Sequence, residues 1–176
     1  MNISPQPNRN STTEVPVDVE IRLADYSNPK DGRDLLAMLE EYSRDPFGGG
    51  EPLPEICHRE LPARLAAFPG AFSVLAYRGE QPLGLVNCFM GFSTFACKPL
   101  VNIHDVAVSE AARGAGICTA MLEKVVEVAR ERDCCKITLE VLEKNHPARA
   151  AYLKCGFKPY ALDEEFGQAE FWQRYL

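Results

Sequence analysis

The sequence predicts a mixed α/β (α+β) domain: a mostly antiparallel sheet of about six to seven strands, flanked by about four helices. Three observations carry this expectation. Seven segments have strand composition, several of them alternating apolar and polar residues at period two. Four others are helical in spacing or composition. One of those helices joins two strands as a crossover, which makes the two strands parallel. At 176 residues and 46% hydrophobic content, the chain is long enough for one domain with a proper core.

Residues 1–16 are rich in Asn, Ser, Thr and Pro without periodicity, and are expected to be a disordered tail ahead of a single domain over 17–176. Residues 17–23 alternate Val17, Val19, Ile21 and Leu23 with Asp18, Glu20 and Arg22, the pattern of a half-buried edge strand. Asp31 is placed to cap a helix whose Leu35, Met38, Leu39 and Tyr42 share a face, ending before Pro46. The glycine-rich stretch 45–52 reads either as one wall of a substrate pocket or as a plain connector. Residues 55–68 are helical in composition, with Pro62 predicting a kink or two short helices. Strands 71–77 and 83–89 flank a hairpin turn, and 91–99 turns back into strand 101–108, so these three strands form a meander.

Ile117, Met121, Leu122, Val125, Val128 and Ala129 recur at helical spacing over 117–131, the most regular helix in the chain. Strand 136–142 follows, with Ile137, Leu139 and Val141 on one face. Asn145-His146-Pro147 opens a helix in which Ala148, Ala151, Tyr152 and Cys155 share a side, and Gly156 stops it. Segments 157–162 and 170–175 predict a final hairpin.

Composition excludes several function classes. A net charge of −6 argues against a nucleic-acid binder, which concentrates basic residues on one face. No segment resembles a signal peptide or approaches the roughly 20 apolar residues of a membrane helix, so a cytoplasmic location without membrane partners is expected. The seven cysteines are odd in number and lack CxxC spacing, and His58, His104 and His146 show no ligand spacing with them. Reduced, structural cysteines and no metal are the expectation.

Strand 101–108 stands out. A buried strand is nearly continuously apolar, yet Asn102, His104 and Asp105 interrupt Val101, Ile103, Val106, Ala107 and Val108. It runs into Ser109-Glu110-Ala111-Ala112-Arg113-Gly114-Ala115-Gly116, which opens a helix with two glycines and an arginine. Free N–H groups at a helix start attract anions, and glycines let a phosphate approach. A phosphate-bearing ligand at 113–118, its reactive end along the strand, is the expectation. No GxGxxG follows a first strand, against a Rossmann-type site.

The element order, Arg113-x-x-Gly116-x-Cys118 after Val106-Ala107-Val108, and Asn145-x-x-Ala148-x-x-x-Tyr152-x-x-x-Gly156-Phe157 resemble the GNAT family of acyl-CoA-dependent N-acetyltransferases over 18–176. The first family motif ends in Gly or Ala; here a small Cys118 stands instead. The resemblance implies acetyl-CoA as co-substrate, with its arm entering where the two parallel strands splay apart. It implies that the backbone amides of Gly114, Ala115, Gly116, Ile117 and Cys118 bind the pyrophosphate, with Arg113 adding charge. Val106, Ala107 and Val108 would pair with the pantetheine, Asn145 would hydrogen-bond it, and Tyr152 would lie near the thioester sulfur. A homodimer is likewise expected by resemblance.

Amide formation needs a neutral amine, a donor for the thioester oxygen and a proton for the leaving thiolate. His104 is the candidate base, directly or through water, Tyr152 the acid, and the Val106 amide the donor. Related polyamine-type enzymes carry a glutamate where His104 stands. His104 and Asp105 are the candidate contacts to a small-molecule amine such as an amino acid or polyamine. The alternatives are a His104 satisfied within the core by Asp105, an Asp105 that faces away from His104 in a regular strand and fixes a loop, and a Tyr152 that fills the core. Glu140 either binds an amine or faces solvent, and Phe171 and Trp172 read as core or dimer interface. Acetylation of a protein N-terminus or lysine, and a non-catalytic acyl-CoA sensor, are the competing functions.

Overall fold

The computed structural model describes residues 16–160, 165 and 169–176. The expected tail lies outside these residues except for Pro16. Five strands form one sheet in chain order: β1 (Val19–Leu23), β2 (Ala71–Arg78), β3 (Gln81–Ser93), β4 (Lys98–Val108) and β5 (Ile137–Leu139). The first four are antiparallel neighbours, and β5 runs parallel to β4. Helices α1 (Pro29–Arg44) and α2 (Glu55–Ala67) cover one face, and α3 (Ile117–Glu131) and α4 (His146–Lys154) the other.

Alternation along the strands builds two cores. Val74, Ala76 and Val86 point to the side of Ile117, Met121, Leu122 and Val125, while Leu75, Tyr77 and Leu85 meet Leu35, Met38 and Leu65. The central strands are therefore buried on both faces, which is why β2 is almost continuously apolar.

Five expectations are corrected. Asn28, not Asp31, caps α1: its side chain accepts from the Lys30 amide at 2.9 Å, and Pro29 takes the first helical position, where no N–H partner is needed. Asp31 falls on the inward side, 1% exposed, and accepts from Arg22 Nη1 at 2.6 Å, Arg22 Nη2 at 2.7 Å and the Asp25 amide at 2.8 Å. Helix α2 continues through Pro62 rather than splitting into two short helices, and the proline ring packs against α1 at Gly32, where an added Cβ would sit 3.3 Å from Pro62 Cβ.

Strand β5 is confined to Ile137–Leu139 rather than 136–142. Among the described residues, neither 157–160 nor 170–175 forms a strand, so the sheet has five strands and not six to seven. Residues 161–162 of the expected hairpin lie outside the described residues. Phe171, Trp172 and Tyr175 are exposed, not in the core. No helix among the described residues is long and apolar enough to cross a membrane.

Candidate active site

The β3–β4 ladder pairs Cys88 with Ile103 and then Asn87 with Asp105, leaving His104 as an extra residue in β4. This bulge resets the alternation. Ile103 and Val106 both face α3, and His104 and Asp105 both face the α1–α2 side, where Asn87 and Phe89 of β3 lie. The opposite-face expectation for Asp105 is thus overturned by one inserted residue. The core reading of His104 is overturned as well, since its side chain is 66% exposed. Its Nδ1 lies 3.8 Å from Asp105 Oδ1, and its ring meets Phe89 edge-on at 5.7 Å.

Asp105 is anchored from behind. Asn87 Nδ2 donates to its Oδ2 at 3.0 Å, Ser73 Oγ donates to Asn87 Oδ1 at 2.6 Å, and the Tyr26 hydroxyl is 2.8 Å from Ser73 Oγ. Ser73 and Asn87 are buried, so this polar chain through the sheet is satisfied where an orphaned group would be costly.

Strand β5 pairs with β4 only at Val101, Asn102 and Ile103. From His104 to Val108, no described strand lies along the edge of β4 opposite β3. The parallel pair has therefore parted at the bulge, and an extended chain could hydrogen-bond to the free edge. Glu140, past the end of β5, is exposed.

The end of β4 leads through a short 3-10 turn, Glu110–Ala112, to Gly114 and Gly116 with φ +80° and +79°. Side chains rarely adopt this conformation, so glycine is needed at both. Gly116 caps α3 without a side-chain bond, and the first turn of α3 carries no acid. The amides of Ile117, Cys118 and their neighbours have no intrahelical acceptor and attract an anion. Arg113 stands beside this turn, and its Nη2 lies 3.0 Å from Asp45 Oδ2. Glu41 Oε1 accepts from the Glu110 amide at 3.0 Å, so the end of α1 is tied to the turn twice.

Tyr152 comes from α4, 9% exposed, and burial pushes its hydroxyl pKa well above the usual range, with the nearby Cys118 thiol and Tyr42 hydroxyl adding to the shift. It stays a phenol at any physiological pH. Burial also pushes the Cys118 thiol up to about 11, so a small neutral group occupies that place. Asn145 caps α4, its Oδ1 accepting from the Ala148 amide at 3.3 Å, which leaves its Nδ2 to donate elsewhere. Among the described residues, no group of three or more His, Cys, Asp or Glu could hold a metal ion.

Tyr42, Asp45 and Asn87 belong to the site without having been singled out in the sequence. Burial raises the Tyr42 pKa, followed by the charges of Asp105 and Asp45, and its hydroxyl donates to the Phe47 carbonyl at 3.4 Å. One signal for Asn87 was available: an amide inside the apolar run 83–89 needs a buried partner.

Residues 35–157 match the model of the acetyltransferase (GNAT) family. A rice protein, "Probable glucosamine 6-phosphate N-acetyltransferase 2", is 39% identical over 56 residues, about a third of either chain (32%). The glucosamine 6-phosphate N-acetyltransferase of Trypanosoma brucei brucei is 28% identical over 152 residues, 82% of this chain and 92% of that one. Among solved structures, an aminoglycoside acetyltransferase from an uncultured soil metagenomic sample superposes with a TM-score of 0.74 at 16% identity, covering 93% of this chain and 99% of the other.

Proposed function

The chain belongs to the acetyltransferase (GNAT) family, and from that premise we propose that it transfers an acetyl group from acetyl-CoA to the primary amine of a small molecule, by direct attack while both are bound. The observation that carries this is the parting of β4 from β5 at the His104 bulge, with the glycine turn at one end of the free edge.

The residues fit the co-substrate. A Cβ at Gly114 would meet nothing within 4 Å, so the turn is open to a phosphate, and the start of α3 presents donors without an opposing acid. Gly114, Ala115, Gly116, Ile117 and Cys118 hold the pyrophosphate with Arg113, the free edge from Val106 to Val108 holds the arm, and Asn145 Nδ2 adds a donor. Acetyl-CoA supplies the activated acyl group and a thiolate as leaving group.

His104 takes the proton from the ammonium, directly or through water, with the Asp105 carboxylate 3.8 Å from its Nδ1. Tyr152 holds its proton until a thiolate can accept it, a task its raised pKa suits.

Thiol release from acetyl-CoA over a panel of amines tests the proposal. Tyr152→Phe should lower kcat by about a hundredfold, in the range for loss of a proton donor. His104→Ala should cost most near neutral pH, and the loss should shrink as the pH rises toward the amine pKa near about 10 and the amine deprotonates unaided. Measurable acetyl-CoA binding without turnover of any amine would sink the catalytic reading in favour of a sensor.

A further inference from the structure

The cavity beside His104 was not foreseen in the sequence. It measures about 390 Å³ and is lined by Leu61, Arg64 and Leu65 of α2, Phe68 just past that helix, Phe89 of β3 and His104 of β4. That volume suits a ligand of roughly drug-fragment size or a little larger. Phe68 meets Phe89 edge-on at 5.5 Å and 85°, and Phe89 meets His104 at 5.7 Å and 68°, so three rings run in series from the bulge outward. The imidazole that would deprotonate the acceptor amine is also the inner end of this wall.

The charges on the lining limit what can enter. Arg64 is its one guanidinium, and both its Nε, at 2.9 Å, and its Nη2, at 2.6 Å, already donate to Glu60 Oε2. That pairing, with Arg59, holds the Glu60 carboxyl below the usual range. A phosphate on the acceptor would have to compete with a carboxylate for Arg64. Sugar hydroxyls would exchange water for leucine and phenylalanine and lose their hydrogen bonds. A polyamine needs a carboxylate spaced along its length, and no lining residue is one. Of the acids beside the lining, Glu60 is taken up by Arg64, and Asp105 lies at the His104 end, where one ammonium would sit.

We propose that this cavity is the acceptor pocket and that it selects a primary amine carried on a single aromatic or branched-alkyl group. The amine lies at His104 and Asp105, and the apolar group lies between Leu61, Leu65, Phe68 and Phe89. The proposal rests on the acetyl-transfer function above, which it narrows to a substrate class differing from the glucosamine 6-phosphate named for the trypanosome relative.

The test compares kcat/KM for 2-phenylethylamine, 3-methylbutylamine, glucosamine 6-phosphate, spermidine and a short peptide with N-terminal Phe, at fixed acetyl-CoA. The two apolar amines should exceed the others by about tenfold or more, the usual scale for burying a few methylenes. Phe68→Ala and, as a second lining variant, Leu61→Asp should raise KM for 2-phenylethylamine by about five- to twentyfold, with a smaller change in kcat. A thermal melt on each variant separates lost binding from lost fold. Preference for glucosamine 6-phosphate or spermidine overturns the apolar class while leaving acetyl transfer standing, as does an unchanged KM in both variants. Preference for the peptide overturns the free amine. Were no amine acetylated, titration of 2-phenylethylamine followed by protein NMR would still decide: shifts at 61–68, 89 and 104 support the pocket, and none overturns it.

Discussion

Asp31 illustrates how much rests on one side chain. Its carboxyl is buried, held below the usual range chiefly by the Arg22 hydrogen bonds, and it joins β1 to the first turn of α1. Asp31→Asn removes the charge but leaves Arg22 facing a buried amide. A cost of about 2–3 kcal/mol is expected, at the low end for broken buried pairs because Arg22 is partly solvated. That lowers the melting temperature by about 5–10 °C at pH 7 for a domain of this size. Because the folded pKa is depressed, the pair contributes fully above the unfolded carboxylate pKa of about 3.9, and the contribution is lost as pH falls through the folded value. The gap between wild type and variant should therefore narrow progressively as the pH falls below the unfolded carboxylate value, and a gap of constant size would refute the ion-pair account. At this scale the sequence was legible for identity more than for direction. His104, Asp105, Tyr152 and the glycines stand out by composition, but the face shared by His104 and Asp105 depends on a bulge. A signal did exist: the apolar positions shift from odd (Val101, Ile103) to even (Val106, Val108), a change of parity that one inserted residue produces.

Between elements, β3 comes close to α3 at Gly84. A Cβ at Gly84 would lie 2.7 Å from Met121 Cε, 2.9 Å from Met121 Sδ and 3.0 Å from the Ala107 carbonyl oxygen. The methionine can swing away, but the backbone carbonyl of β4 cannot, so Gly84→Val should cost about 2 kcal/mol by overpacking. The melting temperature should fall by about 4–8 °C, and an unchanged melt would show that β3 can move off α3. Elements with strong patterns, β1, β2, β3, β4 and α3, were readable because the pattern follows burial: β2 and β3 bury both faces, while β1 and α3 turn one side to the core. Elements set by contacts distant in sequence were not. Pro62 signals a break that the Gly32 contact overrides, and Ile137, Leu139 and Val141 alternate as a longer strand would although pairing stops at Leu139. Where pairing stops is decided by the bulge in the neighbouring strand, which no pattern within β5 records.

At the scale of the whole molecule, the proposed function asks an acidic chain of net charge −6 to bind a polyanionic co-substrate, so the local field at the glycine turn must oppose the global one. In that proposal Arg113 supplies the field, yet it is paired with Asp45 on the loop after α1. The two partners of this pair should then act on acetyl-CoA with opposite sign. Arg113→Ala loses the attraction and should weaken binding about tenfold. Asp45→Asn frees the guanidinium and removes a carboxylate beside the phosphates, and should tighten binding about three- to tenfold, the modest scale fitting a half-exposed pair. Ligand-linked melting reads both. Acetyl-CoA at about 100 times its wild-type Kd adds about 2.7 kcal/mol to the folded state, or about 5–10 °C. The same concentration should raise the melt of Arg113→Ala by about 3–6 °C less and that of Asp45→Asn by more than wild type. If the two variants moved in the same direction, Asp45 would be helping to hold Arg113 for the phosphate, and the pair would be part of the bound site, not its competitor.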